Sequence, residues 1–279
     1  MIKKIIQVTS IFVLAGFSFF YTEKVTKMAR NSDPIMIKIN EAKNDIEVSN
    51  IDPIINNDEY TAGISGCTVD VDKSYSKMKS IGKYDEDLLV MNEVKTEKIS
   101  KNKYIVSGNK KSKNISIIFL IDKNLNNELV NYLNTKKINS NFFVSSDYLN
   151  KNSSTIKELA KTNNIYYYGN NGVYSEKNII YNNNIINVNS KNESKYCLTN
   201  KKNDELLKTC SSYDMNTIKA NYISENILYY VKNNISNGAI LVFDTNKTSD
   251  IIVSINYILS KGYNIQTLDK LLLSNNNCK

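Results

Sequence analysis

The 279-residue chain has no histidine, no tryptophan, two prolines and four cysteines. Without histidine there is no imidazole to act as a base near neutral pH or to complete a zinc site, so either chemistry would have to be built from other groups. The cysteines, at positions 67, 197, 210 and 278, include no Cys-x-x-Cys pair, which leaves metal binding the weaker reading of them. No cysteine follows Ala15 and Gly16, which rules out a lipoprotein signal, and no internal repeat of fixed period is visible. The shortage of Pro and Trp accompanies heavy use of Asn, Lys, Ile and Tyr. Those four have AT-rich codons, so the bias reports base composition rather than mechanism. The asparagine runs at 182–184 and 275–277 are read as chance occurrences in loops and turns, and Asn-x-Ser/Thr triplets such as 114–116 carry no weight either.

What the chain does contain is ordinary for a globular protein. Hydrophobic residues make up 41% and charged residues 23%, enough for one large domain or a medium one with a small companion. The formal charge of +8 is spread singly among acids along the chain, which reads as a solvated surface and not as a nucleic-acid face. It leaves a mild attraction for anionic lipid or anionic cell-wall polymer.

The N-terminus sets the compartment. Lys3 and Lys4 precede the apolar tract IIQVTSIFVLAGFSFFYT, residues 5–22, which fits a signal peptide or an N-terminal membrane anchor. Its length and its continuation past Gly16 into Phe17, Phe19, Phe20 and Tyr21 favour the anchor, because a cleavable signal wants a shorter apolar core and a small-x-small site. The expectation is a single-pass protein of the cell membrane with residues 23–279 outside. Disulfides are permitted there, and the first choice is Cys197 with Cys210, at the ends of a predicted strand and the helix that follows it.

Residues 23–50, polar and mixed in charge, read as a stalk. Residues 51–106 read as a small α+β unit, with a strand in CTVDVD, a helix over 73–81 capped by Asp72 or Ser74, and a strand in DLLVMNEV. From about residue 107 apolar strands alternate with helical patterns, among them ISIIFLI (115–121), SNFFVS (140–145), IYYYG (165–169), YCLT (196–199), TIKA (217–220) and AILVF (239–243). Such alternation predicts a parallel sheet or barrel with crossover helices, whose chemistry sits where strands end.

The order of NSNFFVSSDYL, a helix, a turn, and then NGAILVFDTN…IVSINYILSKGYNIQTLDKLL resembles the NodB-type polysaccharide deacetylases, whose corresponding blocks run like kATFFvvG and GsIiLlHD…l..il..lk.kGy.fvtlseLL. The resemblance covers roughly 110–273 and implies a distorted (β/α) barrel with its active site at the strand C-termini, within a domain spanning 107–279. It implies metal-dependent removal of acetyl groups from N-acetylated sugars, a hydrolysis of carbon–nitrogen bonds. The chain departs from the motifs that do this. Where the family has TFDDG, the alignment lays Leu120 and Ile121 on the two acids, with Asp122 one step late; where it has HxxxH, it lays Tyr168 and Gly172. The RxPxG region falls near KYCLTNKKN, without Arg or Pro, and Phe243 is laid on the acid histidine of LHD.

The expectation is therefore a deacetylase-like protein that has lost hydrolysis, needs no cofactor and serves as a binding or scaffolding module on peptidoglycan or another cell-wall glycan; the alternative is a deacetylase or related hydrolase with an atypical site. The residues proposed for the site are Asp122 and Asp244 as weak catalytic candidates, and Tyr166, Tyr168 and Asp244 as substrate-binding candidates. No metal ligand is assigned. Against these stand plain alternatives: rim acids are commonly turn formers or helix caps, and at least one of three consecutive strand tyrosines belongs to the core.

Overall fold

The computed structural model describes residues 2–97, 99–170, 172–190, 193–244 and 246–272, with residues 2–12 and 15 described by backbone alone. Asn275 to Asn277 and Cys278 lie outside the described residues. In chain order the elements are α1 (Ile2–Asn31), α2 (Pro34–Ile46), β1 (Ile54–Asn56), β2 (Glu59–Thr61), β3 (Gly66–Val69), α3 (Val71–Ile81), β4 (Met91–Val94), β5 (Tyr104–Ser107), β6 (Asn114–Ile121), α4 (Asn127–Thr135), β7 (Asn141–Val144), α5 (Ser146–Lys151), α6 (Ser153–Leu159), β8 (Asn164–Tyr167), α7 (Glu176–Ser190), β9 (Tyr196–Thr199), α8 (Asp204–Ser212), β10 (Asn216–Lys219), β11 (Tyr222–Ile223), α9 (Ile227–Asn234), β12 (Ile240–Phe243), α10 (Thr248–Ser260), β13 (Asn264–Gln266) and α11 (Leu268–Leu272).

These fall into two compact units. Residues expected as one small unit, 51–106, are divided between them: 66–94 join the segment up to Ser49, while 50–65 join the described residues from Lys95 to Leu272. The reason for the division is pairing. β2 runs parallel to β5, and β5 to β10, which draws 50–65 and 95–107 into the larger unit.

In the smaller unit α1 extends to Asn31, and Val13, Leu14, Phe17, Phe19, Phe20 and Tyr21 on it are exposed. Among the described residues no helix is long and apolar enough to cross a membrane. Part of the expected stalk is α2, which starts on Pro34 behind an Asp33 cap that accepts the Ile35 N–H at 2.9 Å. Ile35 and Ile39 pack on Val69 of β3 and Met78 of α3, and β3 pairs antiparallel with β4. The cap of α3 is Asp70, not Asp72 or Ser74, and the helix stops at Gly82 with φ 72°. Asp33 also accepts from Lys79 at 2.6 Å and Tyr75 at 2.9 Å; these bonds, Lys79's first, hold its carboxyl at about 2.

The larger unit is built on β6. Its register pairs it in parallel with β12, β7 and β13, and β8 and β11 extend this sheet to six strands. A second, five-stranded sheet runs β1-β2-β5-β10-β9. Ala220 and Asn221 carry the chain from β10 in one sheet to β11 in the other. Both sheets contribute to one interior, where Ile118, Phe143, Tyr166, Tyr196, Leu198, Ile218 and Val242 pack together. The distortion of the barrel lies between β8 and β9, which share no ladder among the described residues. That seam is closed by side chains: Ser194 Oγ accepts the Tyr167 N–H at 2.9 Å, while Tyr174 accepts the Leu198 N–H at 3.0 Å and donates to the Tyr167 carbonyl at 3.2 Å.

Alternate residues face outward and meet the helices, with Ile117, Phe119, Phe142, Tyr167, Leu241 and Phe243 packed against Leu133, Ile156, Ile255 and Ile258. Cys197 is on this outer face and bonds to Cys210 of α8, as expected, with a Cα–Cα distance of 6.3 Å. The helix α7 differs from the sequence expectation. The run 182–184 is helical, not loop: it lies inside α7, where Ile179 and Ile186 reach the core and the buried Asn182 donates to Ser146 Oγ at 3.0 Å and to the Asn178 carbonyl at 2.8 Å. Packing of that apolar pair overrides the low helix propensity of asparagine.

Candidate functional site

Side chains two apart on a strand share a face, so each inner row can be followed to the barrel rim. On β6 the row runs Ile118, Leu120, Asp122; on β8 it runs Tyr166, Tyr168; on β12 it runs Ile240, Val242, Asp244; through β10 and β11 it runs Ile218, Ala220, Tyr222. Four polar side chains thus converge at the C-terminal ends of neighbouring strands: Asp122, Asp244, Tyr168 and Tyr222.

The two carboxylates are the candidates the sequence offered, and they meet. Burial against the rim raises Asp244, and the charge of Asp122 raises it further. Neither caps a helix, because the N-cap positions of α4 and α10 are Asn126 and Lys247. The main chain holds both in place. The Asp122 carbonyl accepts Ser145 Oγ at 2.7 Å, and the Asp244 N–H donates to the Ile223 carbonyl at 3.1 Å.

Tyr168 and Tyr222 stand beside them with ring centroids 6.2 Å apart at 61°, edge toward face. The Tyr222 hydroxyl donates to that of Tyr168. Partial burial pushes both phenols up, and the nearby carboxylates add to the effect, so both stay protonated donors across the physiological range. Tyr222 was missed in the sequence. The signal was there, since Ile218, Ala220 and Tyr222 keep one parity across a two-residue break. Gly172, laid on the second imidazole position of HxxxH, does lie at this site: a Cβ placed on it would stand 3.6 Å from the Tyr168 hydroxyl.

Two residues expected at the site are elsewhere. Tyr166, a substrate-binding candidate, is 2% exposed and belongs to the interior, packed between Phe143 at 5.1 Å and Tyr196 at 5.2 Å, with Asn164 donating to its hydroxyl at 3.0 Å. It shares a face with Tyr168 but sits one layer deeper. Phe243, laid on the acid histidine, points the other way, into the helix layer, where it is 1% exposed and stacks on Phe119 at 5.8 Å. Its odd position puts it on the face opposite Asp244, so it neither faces nor plugs the mouth.

The metal that the resemblance implies does not fit this donor set. Ile121 faces the helices, Leu120 is aliphatic, Gly172 has no side chain, and Tyr168 is a protonated phenol already hydrogen-bonded. That leaves two mutually repelling carboxylates where a hydrolytic zinc site uses three protein donors around an open position. Among the described residues no group of three or more Asp, Glu, Cys or His is placed to hold an ion. What the rim can do is hydrogen-bond and stack: two carboxylates to accept, the Tyr168 hydroxyl to donate, and two phenol rings.

Comparison with known proteins agrees with this architecture. The chain superposes on a CE4 family pseudoenzyme from Bacillus anthracis with a TM-score of 0.61 and 19% identity, over 86% of this chain and 95% of that one. The fold is that of the family 4 carbohydrate esterases. A mutant of that pseudoenzyme with restored enzymatic activity superposes equally well, with a TM-score of 0.61 and 20% identity over 85% and 97% of the two chains. The family 4 esterase PdaA of Bacillus subtilis aligns over 61% of this chain and 85% of its own at a TM-score of 0.54 and 14% identity. No protein-family model matches the sequence, and no curated protein does. The likeness is one of fold, and the CE4 fold here carries its own rim.

Proposed function

We propose that the protein is a membrane-anchored, extracytoplasmic CE4-fold module that binds a neutral portion of cell-wall glycan at the barrel rim and does not hydrolyse it. The observation that carries the reading is the convergence of Asp122, Asp244, Tyr168 and Tyr222 where the family implied by the resemblance keeps its chemistry, without a third metal donor beside them among the described residues. Carboxylates accept from vicinal sugar hydroxyls and tyrosine faces cover the apolar side of a pyranose, which is recognition chemistry. The anchor is supported by the exposed apolar side chains of α1 from Val13 to Tyr21.

Co-sedimentation of the full chain with insoluble peptidoglycan tests the reading. Wild type pellets with the polymer, and Tyr168→Ala with Asp244→Ala weakens pelleting. Equal pelleting of the variant, or release of acetate from an N-acetylated glycan by the wild type, overturns it; the second outcome establishes the alternative, a deacetylase with an atypical site. Fractionation separates the anchoring claim from the rest. The chain is expected in membranes, released by detergent and not by high salt.

A further inference from the structure

The lysines that look evenly dispersed in the sequence are not evenly dispersed in the fold. Around one cavity of about 460 Å³, beside the C-terminal ends of β9 and β10, stand Lys110, Lys201, Lys202 and Lys219, with Glu59 the single carboxylate in its lining. Lys219 is shielded and paired with Glu59, and Lys202 is paired with Asp58 at 2.8 Å, which raises the lysine and lowers the acid. Among the described residues Lys110 and Lys201 make no ion pair. Two ammonium groups are therefore uncompensated at one concave place, and neither carboxylate of the rim lines it. Neutral donors surround them. Tyr230 accepts Asn221 Nδ2 at 3.1 Å, which leaves its own hydroxyl hydrogen to give to a ligand.

From this we infer that the cavity is an anion site that takes a phosphate-class oxyanion, free or as a phosphoester on a sugar or polyol. Lysines bind phosphate as point charges without the planar fork of arginine, so recognition rests on charge and on the hydroxyl and amide donors around it. The cavity is larger than an inorganic phosphate and leaves room for the attached polyol. This inference is independent of the rim and of its glycan.

The test is titration of the full chain in detergent micelles with inorganic phosphate, glycerol phosphate and glycerol, followed by calorimetry at fixed ionic strength. Both phosphates are expected to bind and glycerol is not; tighter binding of glycerol phosphate identifies an esterified source, and equal binding a free one. Lys201→Gln and Lys110→Gln, which break no ion pair, each weaken phosphate about three- to tenfold, the range for loss of one partly screened charge. Asp244→Asn at the rim leaves the affinity unchanged. No heat beyond a chloride control, or affinity indifferent to the two lysine changes taken together, overturns the inference.

Discussion

The two ends of the barrel are built from the same residue types and do opposite things. At the N-terminal ends of the strands, Asp269 of α11 accepts Tyr196 at 2.9 Å and Asn164 at 3.5 Å, with Lys195 at 3.9 Å, while Asn141 accepts the Leu268 N–H at 2.9 Å and donates to Ser116 and the Ile117 carbonyl at 2.8 Å. Leu268, Leu271 and Leu272 close that end from inside. At the C-terminal ends, tyrosines and aspartates recur, but the carboxylates repel each other and face solvent. The lesson is that residue type does not mark a site; satisfaction does. A tyrosine whose hydroxyl and ring are both matched by protein groups is structure, and one layer up, the same residue type stands half-buried beside two carboxylates that are not matched.

That contrast is broken most directly on β8. Tyr166→Ala, which empties the packed interior, is expected to cost about 3–5 kcal/mol, while Tyr168→Ala at the half-open rim costs about 1–2 kcal/mol, as read by urea unfolding. Similar losses at the two positions would mean that the rim is as closed as the base. Next in size is the bond that ties α8 to β9 beside the weak seam. Replacing Cys197 and Cys210 together with serine is expected to lower stability by about 3 kcal/mol, the scale for a loop of this length, and reduction of the wild type should reproduce the loss.

The alternation of strands and helices made most of the fold readable, because β6, β7, β9 and β12 are short, mostly apolar runs of the kind a sheet covered on both faces requires. YCLT is observed as β9 at 196–199, and the Cys197–Cys210 pairing followed from where that strand and the next helix end. The rim was partly readable. Asp122 and Asp244 stand out as the first charges after apolar strands, yet Phe243, laid on the histidine of LHD, is of opposite parity to Val242 and faces the helices. Tyr166 looks like a binding group in the sequence because nothing local distinguishes it from Tyr168; its partners Phe143 and Tyr196 come from other strands. α7 was missed for the same kind of reason, its helix being stabilised by distant packing.

The remaining two experiments compare one carboxylate from each end. Asp269→Ala leaves the Tyr196 hydroxyl and Asn164 without their acceptor in a buried place, a loss of about 1–3 kcal/mol in urea unfolding. Asp122→Ala removes no buried partner and is expected to stay within about 0.5 kcal/mol at neutral pH.

The smaller of the two effects is the more informative, because it has a sign that depends on pH. Asp244 titrates above its unfolded value, so the folded state binds its proton more tightly; its contribution favours folding most below the unfolded value of 3.8 and is lost as pH rises through the folded value. Burial is the larger cause and Asp122 the second, so Asp122→Asn should lower the Asp244 value without returning it fully to 3.8. Carboxyl-detected NMR titration reads this shift directly, and the stability profile of the variant should flatten over the same interval. An Asp244 that titrates identically in the variant would place the two carboxylates out of each other's reach, and the rim would then be a pair of separate surface acids instead of one polar site opposed to a sealed base.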